Sequence, residues 1–147
     1  MTTGTVYASG DRTFSAGPDG AGRYRFNTLP PGAYTVRYQG SPYVREYYQE
    51  THWSNEALEL TLAEGQIRTG IDFTPEKEAT IAGLVADASG NAYSSGTVYA
   101  YPVSENFEQY ASDGLDSSGE YLIDDVPSGD YYIAAKVSGK PTVYYPS

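Results

Sequence analysis

The chain of 147 residues carries one histidine, His52, and no cysteine, which removes most routes to a reactive centre. A thiol nucleophile, a disulfide framework and a Cys-ligated metal are excluded, and a single imidazole cannot form a His-rich metal site. Nucleophilic catalysis would need Ser or Thr beside a lone base, and no Gly-x-Ser-x-Gly elbow occurs. Two carboxylates suffice for glycoside hydrolysis, and Asp124 and Asp125 are adjacent. Neighbours on a regular strand, however, point to opposite faces and cannot act jointly. The expectation is a protein without catalytic residues, with His52 packed beside Trp53 on a loop.

Two groups of residues suit binding instead. Asp113, Asp116 and Glu120, spaced around Gly114 and Gly119, put hard oxygen ligands on one loop and make it a candidate calcium site. The spacing does not match an EF-hand, and Asp and Gly are also ordinary turn formers; no other cofactor is expected. Tyr43, Tyr47, Tyr48 and Trp53, with Tyr144 and Tyr145, offer aromatic faces that stack on sugar rings. The plainer reading is that each Tyr pair straddles a strand, one ring in the core and one at the surface.

Charge narrows the partners. The net charge of −10 is uneven: residues 1–75 carry 8 acids and 6 Arg, and residues 76–147 carry 11 acids and 3 Lys. Such a surface repels nucleic acid and anionic lipid. No apolar run approaches the roughly 18 residues of a membrane span, and Met1 leads into TTGTVYAS without a signal-peptide core. The expectation is a soluble chain that neither binds nucleic acid nor inserts into a membrane.

The elements that must position these residues are written twice. Asp19 to Tyr34 (DGAGRYRFNTLPPGAY) returns as Ser117 to Tyr131 (SSGEYLIDDVPSGDY), so that Tyr24, Gly32 and Tyr34 align with Tyr121, Gly129 and Tyr131 at a shift of 97. Each copy has a Gly turn, an alternating run led by Tyr, a Pro-x-Gly turn and a second Tyr-led run, which predicts a β-hairpin. Gly4 to Ala8 (GTVYA) recurs as Gly96 to Ala100 at a shift of 92, which places an insertion of five residues within Tyr101 to Asp116. Tyr47 and Tyr48 map onto Tyr144 and Tyr145. Leu58, Leu60 and Leu62 alternate, as do Ile67, Thr69, Ile71 and Phe73 beyond a Glu64-Gly65 turn, and this predicts a second hairpin rather than a helix. Ile81, Gly83 and Val85 begin a strand in the second copy that the first lacks, while the first copy continues for two strands that the second lacks.

The string Ile81-Ala-Gly-Leu-Val-Ala-Asp-Ala-Ser-Gly90, with GTVYAY, GEYLIDDVPSGDYYI and Gly70-Ile-Asp-Phe73, resembles the carboxypeptidase regulatory-like and Cna-B-like repeats of bacterial surface and secreted proteins. The resemblance covers nearly the whole chain and implies an all-β fold: two tandem prealbumin-like, Ig-like antiparallel β-sandwiches, residues 1–75 and 79–147, each an incomplete copy of a repeat with about seven strands. It implies a stalk, spacer or assembly module at the cell surface or outside the cell, a carbohydrate-binding appendage, or an accessory domain of a larger secreted enzyme. The Lys–Asn or Lys–Asp crosslink of some relatives is not expected, because no Lys precedes Lys77 and Asp72 has no Lys partner in its own unit. The phase of the repeat adds an expectation about partners: either the sequence is cut from a longer array, or a neighbour supplies the missing strands, giving head-to-tail strand complementation and a fibre.

Overall fold

The computed structural model of the chain describes residues 4–103 and 110–145. Among these the secondary structure is all-β: eleven strands in antiparallel sheets, with no helix. The chain divides into two compact units, Met1–Lys77 and Glu78–Ser147.

In the first unit β1 (Thr5–Ser9), β2 (Thr13–Ala16), β3 (Gly32–Gly40) and β4 (Tyr43–Tyr47) form a sheet in the order β2-β1-β3-β4. A further strand, β5 (Glu59–Leu62), pairs with the start of β3, Gly32 opposite Leu62 and Thr35 opposite Glu59. Alternation decides which side chains go inside: Val6 and Ala8 are buried while Thr5, Tyr7 and Ser9 are not, and on β3 Tyr34, Val36 and Tyr38 are buried. Leu60 joins them in one cluster, against which Tyr24, Phe26, Ile71 and Phe73 pack. Each fully buried aliphatic side chain contributes on the order of 1.5–3 kcal/mol, so a sheet this small depends on its aromatic neighbours as well.

The second unit has two sheets. β7 (Thr97–Pro102), β8 (Ala111–Gly114), β10 (Tyr131–Lys136) and β11 (Val143–Tyr145) run in the order β11-β10-β7-β8, and β6 (Ala79–Leu84) pairs with β9 (Glu120–Val126). Val98 and Ala100 from the first sheet meet Ile123 and Val126 from the second in a common core, the arrangement of a β-sandwich.

The ladders of the two units share their registers. Tyr7 faces Arg37 and Ser15, as Tyr99 faces Ala134 and Ser112; Arg37 faces Tyr47, as Ala134 faces Tyr144. The shift is 92 on β1 and β7 and 97 on every later pair, so the five-residue insertion lies in the β7–β8 connection, residues 103–110. Asn106, one of the residues that mark this stretch in the sequence, falls outside the described residues.

Neither expected hairpin forms among the described residues: β9 pairs with β6 while β10 pairs with β7 and β11, so the Pro-x-Gly corner joins two sheets, and β5 pairs with β3. Two expected strands do not form either. The run led by Tyr24 and the run Ile67–Phe73 both alternate as strands do, yet neither belongs to a sheet among the described residues. The counterpart of the first run, β9, is a strand because β6 lies beside it with Ile81 opposite Ile123. Among the described residues no strand of the first unit lies beside residues 23–29 in this way. A strand is stabilised by its cross-strand partners, so an alternating pattern without a neighbour stays irregular. The stretch Asn55–Glu64 does choose strand over helix: Leu60 is buried on β5, whereas Leu58 before the strand is exposed.

Candidate functional site

The side chains that shape the interiors of the two units are placed by three short devices. The first is an Asp-x-x-Gly-x turn, used at Asp19, Asp87 and Asp116. In each, one carboxylate oxygen accepts from the amides two and four residues on, at 2.7–3.0 Å: Ala21 and Arg23, Ser89 and Asn91, Ser118 and Glu120. The fourth residue has a left-handed backbone, φ 78° at Gly22, 85° at Gly90 and 78° at Gly119, which explains the glycine. Hydrogen bonds from the Arg23 and Ala21 amides hold Asp19 below the usual carboxylate range. At Asp87 the Asn91 side chain does the same, assisted by backbone amides.

The second device is Pro-x-Gly-x-Tyr. Tyr34 donates its hydroxyl to the Pro30 carbonyl at 2.8 Å, and Tyr131 donates to Pro127 at 2.7 Å. The chain reversal is thus tied by the ring that also fills the core. The third is a small residue under a ring. A Cβ built on Gly83 would lie 2.7 Å from the Tyr121 hydroxyl oxygen, so the ring rests on bare backbone of β6.

Beyond β5 the chain, from Ala63 to Lys77, passes back over the first unit and is held by side chains rather than by a ladder. Tyr24 donates to the Ile71 carbonyl at 2.5 Å and Tyr48 to Gly70 at 3.4 Å, while the Thr74 amide donates to Glu46 at 3.2 Å. Burial, and secondly the Asp72 carboxylate, push the Tyr24 phenol up to about 12, so it remains a donor at ordinary pH. Glu46 is only 4% exposed, and burial is the main cause that raises its pKa. Between this returning segment and residues 22–31 runs an open groove of about 1170 Å³. Val6 and Val36 of the sheet line it together with Tyr24 and Phe26 on one segment and Ile71 and Phe73 on the other.

The aromatic residues expected to bind sugars are dispersed. Tyr43 lies edge-on to Tyr38 and Tyr48 edge-on to Phe73, both in the interior layer. Tyr47 is 8% exposed on the opposite face of the sheet, where the Arg45 guanidinium stands 5.7 Å from its ring. It continues a row in which Arg37 stands 4.8 Å over Tyr7. Trp53 is half-buried on the loop after β4, and its neighbour His52 has Nδ1 2.9 Å from the Arg45 carbonyl oxygen and Nε2 3.5 Å from Glu76. Tyr144 and Tyr145 are exposed, 58% and 73%. The Tyr47–Tyr48 pair therefore straddles its strand; Gly70 and Phe73 cover Tyr48, while its match Tyr145 is exposed.

The acidic residues proposed for calcium are engaged locally. Asp113 accepts from the Leu122 amide at 2.8 Å, Asp116 closes its turn, and Glu120 begins β9. No group of three or more His, Cys, Asp or Glu side chains among the described residues is arranged to hold a metal ion. Asp124 and Asp125 are both exposed, because Asp125 has φ 53° and interrupts the alternation of β9. No helix among the described residues is long and apolar enough to cross a membrane.

The Asp-x-x-Gly turns were detectable, since Asp stands three residues before Gly at all three places. The buried Glu46 had no local signal, because Thr74, which satisfies it, is 28 residues away. Compared with known proteins, the chain matches no family model, and no curated protein or solved structure is significantly similar to it.

Proposed function

We propose that the chain is a non-catalytic structural module of the carboxypeptidase regulatory-like or Cna-B-like kind, a stalk, spacer or assembly subunit of a bacterial surface or secreted protein. One observation carries this reading: the two units share ladder registers, yet in the first, among the described residues, the strand-patterned segments 23–29 and 67–73 belong to no sheet. Unsatisfied sheet edges of this kind recruit strands from neighbours, and a heterologous contact repeated head to tail gives a chain of subunits. Partners are accordingly further copies or neighbouring repeats, and the acidic surface disfavours nucleic acid. Light scattering over a wide concentration range tests assembly: growth in mass with concentration supports it, and a monodisperse monomer throughout defeats it.

The exposure of Tyr144 and Tyr145 favours a second reading, a carbohydrate-binding module, either free-standing or as an accessory to a secreted enzyme. Soluble glycans should then perturb tyrosine emission from these rings, or quench Trp53 if the first unit binds. Silence across a broad glycan panel removes this alternative.

A further inference from the structure

The groove of the first unit deepens the structural-module reading, on which the following rests, because the second unit shows what fills such a groove. There β6 runs antiparallel to β9, with Ala79 opposite Val126, Ile81 opposite Ile123 and Gly83 opposite Tyr121. At the shift of 97, Tyr121, Ile123 and Val126 correspond to Tyr24, Phe26 and Leu29, all three packed against the first unit's core. Their backbone belongs to no sheet among the described residues, and neither does that of Ile67–Phe73 across the groove. Two segments with strand patterning thus flank an apolar groove of about 1170 Å³, and each is without a ladder.

We propose that this groove is an acceptor site for one extended strand, the leading strand of another repeat of this kind. The donor is patterned as Ala79–Leu84 and runs antiparallel to residues 23–29, with its glycine opposite Tyr24 and its isoleucine opposite Phe26. Lying between both segments, it supplies the ladder that each lacks and converts the irregular layer into a second sheet. The glycine is required for the same reason as at Gly83, where a Cβ would come within 2.7 Å of the tyrosine hydroxyl. Charge agrees. Arg23, Arg25 and Arg68 against Glu64 and Asp72 make the groove net positive in a protein of charge −10. The stretch Glu76–Asp87 that contains β6 is net negative, with Glu76, Glu78 and Asp87 against Lys77.

The test adds to the full chain a fluorescein-labelled peptide of sequence Glu76–Asp87 (EKEATIAGLVAD) and reads anisotropy and amide exchange. The expected result is saturable one-to-one binding with new protection at residues 23–29 and 67–73, and binding at least tenfold weaker for the peptide carrying Gly83→Leu. If the peptide self-associates, residues 79–95 are fused ahead of Gly4, which reproduces the Ser95-Gly96 junction. New protection in both segments is again expected, and again lost with Gly→Leu. Equal behaviour of the Gly and Leu versions, or no new protection, overturns the proposal. Failure here is separable from failure of the assembly reading. A chain that oligomerises without peptide-dependent protection keeps assembly and loses this site, whereas protection in a chain that stays monomeric alone keeps the site and loses assembly.

Discussion

Replacing Gly83 with alanine tests how closely a tyrosine ring lies on the strand beneath it. The new Cβ would stand 2.7 Å from the Tyr121 hydroxyl oxygen and 2.9 Å from two ring carbons, where ordinary contact begins at 3.4 Å. The ring must therefore retreat by about 0.7 Å, and overpacking of that order costs about 1–3 kcal/mol. Removing a strand glycine returns roughly 0.5–1 kcal/mol, which leaves a net loss of about 1 kcal/mol from the middle of the two ranges and at most about 2.5 kcal/mol. In a unit of this size that lowers Tm by about 4–8 °C per kcal/mol, measured by calorimetry or urea titration. Gly20→Ala is the control, since its added Cβ meets nothing within 4 Å, and it should stay within about 0.5 kcal/mol of the parent. In a Tyr121→Ala background the obstacle is gone, so Gly83→Ala should become neutral or stabilising, a coupling that a double-mutant cycle isolates. A Gly83→Ala protein as stable as the parent, with Tyr121 in place, would refute the argument.

Two further predictions concern hydroxyls and charge. Tyr34→Phe and Tyr131→Phe each remove the same bond, to Pro30 and to Pro127, and each should cost about 0.5–1.5 kcal/mol; a loss in one unit only would argue against equivalent roles. Stability should also respond to pH in two opposed ways. Asp19 and Asp87 are lowered in the folded state, so they contribute stability that is present above their unfolded values near 3.8 and is lost as pH falls through the folded ones. Glu46 is raised from 4.5, so its ionisation opposes folding increasingly as pH rises above 4.5. Glu46→Gln keeps an oxygen for the Thr74 amide and removes the charge. Its Tm should exceed the parent's at pH 7 and match it at pH 4, and an identical difference at both pH values would contradict the assignment.

What could be foreseen from the residues follows the range of the interactions involved. Tyr-led alternation and the Pro-x-Gly-x-Tyr corner are local, so β3, β9 and β10 are legible in spacing alone, whereas their pairing is not: β9 and β10 look like one hairpin and join different sheets, because their partners β6 and β7 lie elsewhere in the sequence. The run at Tyr24 carries the same alternation as β9 and still forms no strand, because whether a pattern becomes a ladder depends on a partner elsewhere in the sequence. The aromatic pairs show the same limit: Tyr48 and Tyr145 occupy matching registers, yet Tyr48 is covered by the distant segment through Gly70 and Phe73 and Tyr145 is exposed. Asp116, a candidate cation ligand by residue type, proves to be bound to its own turn's amides, as do Asp19 and Asp87.

Residues 23–29 and residues 120–126 are alike in pattern but unlike in having a neighbouring strand. Amide hydrogen exchange measured residue by residue on the native chain reads that difference directly. Slow exchange is predicted at the laddered amides of Glu120–Val126, with exchange at residues 23–29 faster by at least tenfold. Equal protection in the two segments would mean that the first unit already has its second sheet, and the contradiction would be complete.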